Sequence, residues 1–64
     1  HERLSDREFD VLRGIASGKT VSEIAEEMKL SVKTVSTYRT RLLEKMQLTS
    51  NAEITRYALD NGLV

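Results

Sequence analysis

The segment from Thr20 to Arg39 constrains the fold more than any other part of the chain, because two helices must start within it. Thr20 stands three residues before Glu23, the spacing of a capping box. In that motif the hydroxyl accepts from a backbone N–H, and the carboxylate accepts from the N–H of the cap. Ser31 precedes Val32 and supplies an acceptor for the orphan N–H groups of the next helix. Between the two helices, Lys29-Leu30-Ser31 leaves room only for a turn, with Leu30 placed to enter a core. A helix, a three- or four-residue turn and a second helix make a helix-turn-helix.

The rest of the chain reads as helices of the same kind. Ser5 and Glu8 form a second capping box, with Leu4 at the staple position. Val11, Leu12, Ile15 and Ala16 follow at helical spacing, and Gly18 supplies the left-handed residue that ends the helix. The second helix runs from about Val21 to Met28 and buries Ile24, Ala25 and Met28. The third runs from about Val32 to Met46. A fourth begins after Ser50, where Ser50 and Glu53 repeat the box. Its stripe is Ile54, Tyr57 and Ala58, Gly62 ends it, and Leu63 folds back. With no proline, three glycines and short connections, the expected fold is all-α, a compact four-helix domain with a central helix-turn-helix.

Several function classes drop out. The chain has 64 residues, enough for one small domain over 1–64, and chains of this size bury only about 60% of their unfolded surface. It has no cysteine and one histidine, at its first residue, so neither a disulfide nor a metal centre is expected. No apolar run approaches the roughly 18 residues of a membrane span. No signal peptide is visible. The few acids and bases are dispersed over amphipathic helices, so no catalysis, cofactor or small-molecule ligand is expected. The chain opens on His1-Glu2-Arg3 without an initiator methionine, and the expectation is a fragment of a longer protein.

The net charge of zero hides a segregation. Residues 1–28 carry Glu2, Asp6, Glu8, Asp10, Glu23, Glu26 and Glu27 against Arg3, Arg7, Arg13 and Lys19. Residues 29–46 carry Lys29, Lys33, Arg39, Arg41 and Lys45 against Glu44 alone. Residues 47–64 carry Glu53 and Asp60 against Arg56. The basic excess therefore sits on the third helix, as a polyanion docked on one element requires. On charge alone, a solvated basic face is an equally good account. At 100° per residue, Val35, Leu42 and Met46 share a narrow apolar stripe. Opposite lie Lys33, Thr37, Thr40 and Glu44, with Ser36 on one shoulder. Thr34, Tyr38, Arg41 and Lys45 line the other. Arg39 lies nearer the apolar stripe, its stem packed and its guanidinium at the rim.

A helix that reads DNA in the major groove needs short polar side chains at the base edges and cations at its flanks. Ser36, Thr37 and Thr40 are short, can donate or accept, and the threonine methyls can touch a thymine methyl. Lys33, Arg41 and Lys45 can neutralise phosphates. Tyr38 can donate to a phosphate oxygen while its ring packs, although it is equally suited to the rim of a core. Serine and threonine are common on any solvated helix face. It is the turn, the cap, the hydroxyl face and the cationic flank together that favour duplex DNA as the partner.

In combination, Leu4-Ser5-Asp6-Arg7-Glu8, Val11-Leu12, Ala16-Ser17-Gly18-Lys19-Thr20, Glu23-Ile24-Ala25, Leu30-Ser31, Lys33-Thr34-Val35, Arg41-Leu42 and Glu44-Lys45-Met46 resemble the LuxR/NarL-type (GerE-like) DNA-binding domain. The resemblance covers essentially the whole chain. It implies four helices, the second and third forming the helix-turn-helix, in a bacterial, cytoplasmic transcriptional regulator. The implied parent is a two-component response regulator whose receiver domain is phosphorylated on an aspartate. Base reading is implied for Ser36, Thr37 and Thr40, and backbone contact for Thr20, Lys33, Thr34, Tyr38, Arg41 and Lys45. Glu8 stands where the family holds an internal carboxylate and is expected to pair with a cation of the third helix, with Lys45 as one candidate.

The chain also departs from the family. Lysine is common where Ser36 stands and histidine where Tyr38 stands, which points to readout through hydroxyls. Glycine is common at Gln47, so a less sharply stopped third helix is expected. Arginine is common at Asn51, so any contact made there is expected to be lost. The fourth helix commonly forms a dimer contact in this family, which implicates Glu53, Ile54, Arg56, Tyr57 and Asp60. Ile54 and Tyr57 share a stripe that the core can claim, so more weight falls on Glu53, Arg56 and Asp60. RNA polymerase is a further candidate partner. The runner-up is a helix-turn-helix that serves as a protein-interaction module.

Overall fold

Each helix begins at the hydroxyl residue that caps it. The computed structural model describes residues 3–64, so His1 and Glu2, counted in the charge above, lie outside the described residues. The elements are α1 (Asp6–Ala16), α2 (Val21–Met28), α3 (Val32–Met46) and α4 (Asn51–Asp60). Their N-caps are Ser5, Thr20, Ser31 and Ser50, each with a side-chain oxygen that accepts from the backbone N–H three residues on. At Ser5 and Thr20 the box is reciprocal: the carboxylates of Glu8 and Glu23 each accept from the cap N–H at 2.9 Å.

The expected box at Ser50 closes differently. Ser50 Oγ accepts from the Glu53 N–H, but the Glu53 carboxylate reaches one residue further back, to the N–H (2.7 Å) and hydroxyl of Thr49. The cap enters here with φ −151°, against −71°, −81° and −75° at the other three. The more extended entry presents Thr49 to the carboxylate.

The helices also share one way of ending. A residue with positive φ follows the last turn: Gly18 (91°), Lys29 (58°), Gln47 (58°) and Gly62 (67°). The next N–H then reaches back to a carbonyl of that turn. Lys19 donates to Gly14 at 3.0 Å, Leu30 to Ala25 at 2.9 Å, Leu48 to Leu43 at 2.9 Å and Leu63 to Ala58 at 2.8 Å. This is the Schellman arrangement, in which orphan carbonyls are satisfied and an apolar residue just past the end folds back. Leu30, Leu48 and Leu63 do fold back and pack against the core.

The core is built from all four helices. Val11, Leu12 and Ile15 of α1 meet Ile24 and Ala25 of α2, Val35 and Leu42 of α3, and Ile54 and Ala58 of α4. Helix α1 is central and touches each of the others. Met28, expected in the core, is half-buried at its edge, as is Met46. Gly14 lets α2 approach closely: a Cβ there would lie 2.8 Å from the Ile24 side chain, which is itself buried. Among the described residues there is no strand, and no helix is long and apolar enough to cross a membrane.

Gln47 corrects an expectation. The third helix is stopped as sharply as the others, because Gln47 itself adopts the left-handed conformation and Leu48 docks behind it. A non-glycine residue there costs about 1–2 kcal/mol, part of which glycine returns through the greater freedom of its unfolded chain. Gln47→Gly is therefore expected to stabilise the domain by about 1 kcal/mol. The urea midpoint should rise at unchanged slope. A lower midpoint would show that the Gln47 side chain, not its backbone, closes the helix.

Candidate nucleic-acid interface

Two polar clamps fix how α3 is rotated. The first joins its last turn to the start of α1. Lys45 Nζ donates to Glu8 Oε1 at 2.7 Å, the same oxygen that accepts from the Ser5 N–H. The Glu8 side chain is 3% exposed and that of Lys45 39%, so the acid is inside and the base reaches in from the rim. The second clamp joins the middle of α3 to the first turn of α4: Arg39 Nε donates to Asn51 Oδ1 at 2.7 Å. The contact expected to be lost at Asn51 is thus replaced by one within the domain. An amide accepts from Arg39, which an arginine at that position could not do.

With α3 held this way, Val35 and Leu42 are buried and Lys33, Ser36, Thr37, Thr40 and Arg41 are exposed. Tyr38 is half-buried, with its ring packed against the core. The hydroxyls have distinct environments. Ser31 Oγ accepts from the Thr34 N–H at 3.1 Å and donates to Thr34 Oγ1 at 2.8 Å. Thr37 Oγ1 donates to the Lys33 carbonyl, and Thr40 Oγ1 to the Ser36 carbonyl, each at 3.1 Å. Thr20 Oγ1, at the start of α2, accepts from the Glu23 N–H at 3.1 Å. Its hydroxyl proton remains able to donate outward.

The cations divide into paired and free. Lys45 is paired with Glu8, and Lys19 with Glu27 at 2.7 Å. Among the described residues, Lys29, Lys33 and Arg41 have neither an ion pair nor a side-chain hydrogen bond. Lys29 was missed as a candidate. It is an exposed base in the turn directly before the hydroxyl-rich helix, and that position in the charge pattern was the available signal.

The fourth helix places its residues in two groups. Ile54 is 0% exposed and belongs to the core, so it cannot form a surface contact; its place in the apolar stripe decides this. Glu53, Arg56, Tyr57 and Asp60 instead line a shallow groove with Leu48 and Ala52, two residues that sequence reading did not pick out. Ala52 is in register with Arg56 and Asp60 at helical spacing, which was the signal for it.

A basic, hydroxyl-bearing face on the second helix of a helix-turn-helix defines a class of DNA-binding domain. The family described as "Bacterial regulatory proteins, luxR family" matches residues 2–58, and the chain belongs to it. It is 50% identical over 60 residues to the virulence-factors positive transcription regulator BvgA of Bordetella pertussis, covering 94% of this chain and 29% of that protein. It is 42% identical over 64 residues to the transcriptional regulatory protein LiaR of Bacillus subtilis, covering 100% and 30%. It is 40% identical over 60 residues to the response regulator UvrY of Escherichia coli, covering 94% and 28%. The chain thus spans under a third of the length of these relatives.

Glu8 gives the domain a pH dependence. Its carboxyl is held below the ordinary 4.5, chiefly by the hydrogen bond from Lys45 and then by the Ser5 N–H, against burial that pushes it up. A carboxylate depressed in the folded state contributes stability above its unfolded pKa, and that stability is lost as pH falls through the folded value. The urea midpoint should therefore fall as pH drops below about 5. Glu8→Gln should cost roughly 1–3 kcal/mol at pH 7, by leaving Lys45 without its acceptor charge, and should flatten the acid limb. The limb should not vanish, because Glu23 and Glu53 are also lowered, by Thr20 and Thr49 respectively. A Glu8→Gln profile parallel to wild type from pH 6 to pH 3 would remove Glu8 from this role.

Proposed function

We propose that the chain is the sequence-specific duplex DNA reader of a bacterial transcription regulator, with α3 in the major groove. The observation that carries this is the exposed face of α3, on which Lys33, Ser36, Thr37, Thr40 and Arg41 stand out together, with Glu44 toward its C-terminal end, while Val35 and Leu42 hold the other side. Ser36, Thr37 and Thr40 read base edges. Thr20, Lys33, Thr34, Tyr38, Arg41 and Lys45 meet the sugar–phosphate backbone, and Lys29 joins them. The name of UvrY, a response regulator, supports a parent of the same kind, in which a phosphorylated receiver controls this domain.

Each neutralised phosphate contributes about 0.9 to the slope of log affinity against log salt. Lys33→Ala is expected to weaken binding to all duplexes and to flatten that slope by about one. Lys45→Ala should flatten it less, because the Glu8 charge already offsets much of the Lys45 field, and should lower stability as well. Titrations across a salt series measure both. A wild-type affinity insensitive to salt would instead mark a protein-docking module.

A single helix-turn-helix contacts few base pairs, so useful specificity requires two copies on two half-sites. The α4 groove supplies a small two-fold contact through Glu53, Arg56, Tyr57 and Asp60. Arg56 and Asp60 are highly exposed and only loosely paired, at 3.7 Å, so both are free to exchange partners. So small a patch barely offsets the cost of association. The chain is therefore expected to be monomeric at micromolar concentration and to bind cooperatively on two half-sites. Arg56→Glu should reduce the cooperativity and spare single-half-site affinity. Equal binding to one and two half-sites, unaffected by Arg56→Glu, would defeat the dimer.

A further inference from the structure

The threonines of α3 differ in where their hydroxyl protons go. Thr37 Oγ1 donates to the carbonyl of Lys33, and Thr40 Oγ1 to that of Ser36. A carbonyl only accepts, so both protons are committed to the helix backbone. What these side chains turn outward is oxygen lone pairs and a methyl group. Thr34 is the reverse: its oxygen accepts from Ser31 Oγ, and its proton is left to donate. Ser36 has no side-chain hydrogen bond among the described residues and can do either.

Phosphate oxygens only accept, so a hydroxyl that meets the DNA backbone must donate. Thr34 can do so without breaking an internal bond. In the major groove, adenine offers an N6 amino donor, cytosine an N4 amino donor and thymine a methyl, whereas guanine offers only the acceptors N7 and O6. A threonine whose proton is held by its own helix suits the first three and has nothing to give to guanine. A free threonine would tolerate all four.

We infer that Thr37 and Thr40 are acceptor-only readers, which exclude guanine from the bases they face and admit adenine, cytosine or thymine. This rests on the DNA-reading role proposed above. Two such residues one helical turn apart impose the exclusion at two neighbouring positions on the contacted strand. The complement is not excluded, so the preference is strand-asymmetric: cytosine is allowed where guanine is not.

Selection from a randomised duplex pool by this chain, aligned by half-site, tests the inference. Two positions should be depleted in guanine but not in cytosine, and placing guanine at either should weaken binding about tenfold. Thr37→Val and Thr40→Val keep the shape and the methyl and remove the oxygen. Each should erase the preference for adenine or cytosine at one position and retain thymine there. Circular dichroism of these exposed-site variants should match wild type. Guanine enriched at a position that responds to either variant would overturn the inference, as would variants that shift no position. In both cases the wild type would still bind duplex DNA with a steep salt dependence. Loss of that dependence would overturn the DNA-reading role itself, and the acceptor assignment with it.

Discussion

The Glu8 carboxylate accepts at one oxygen from the Ser5 N–H and from the Lys45 ammonium, and so joins the start of α1 to the last turn of α3. Only Val35 and Leu42 of the α3 side chains are fully buried, with Tyr38 and Leu43 packed half-buried beside them. Apolar contact is non-directional. The hydrogen-bonded pair is directional, as is the bond from Arg39 to Asn51. A well-packed apolar substitute for a buried ion pair can be as stable. Here the pair contributes orientation: it sets which side chains α3 presents, and the whole outer face follows from it.

The fold was legible because each helix carries its signals locally. Ser5, Thr20, Ser31 and Ser50 cap where their spacing to Glu8, Glu23, Thr34 and Glu53 indicates, and the apolar stripes bury Leu12, Ile24, Leu42 and Ile54. The structure departs from expectation at Gln47 and at the Glu53 carboxylate, because there residue type does not decide and each outcome depends on a neighbour. Leu48 docks behind a left-handed Gln47, and the extended entry at Ser50 offers Thr49 to Glu53. For the candidate site, sequence supplied the outer face of α3. It did not supply the hydroxyl directions, which depend on backbone carbonyls that only the folded helix places. On α4, the helical period that marks Arg56 and Asp60 as an exposed pair also marks Ile54 as core.

The charge on the third helix is smaller than its composition suggests. Of the five bases in residues 29–46, Lys45 is paired with Glu8 and Arg39 bonds to Asn51, while Lys29, Lys33 and Arg41 remain. Two of the five thus act as fasteners that set the rotation of α3, and with it the directions of Lys33 and Arg41. In the proposed role, the outer face of α3 meets a duplex with few free cations and with Glu44 among them, while most of the other acidic residues lie on α1 and α2. A strongly basic domain holds any duplex tightly, because counterion release is indifferent to sequence. A domain with few free cations holds non-specific DNA weakly, so a larger share of its affinity must come from base contacts and from a second copy. In this reading the segregation behind a net charge of zero is itself a specificity device.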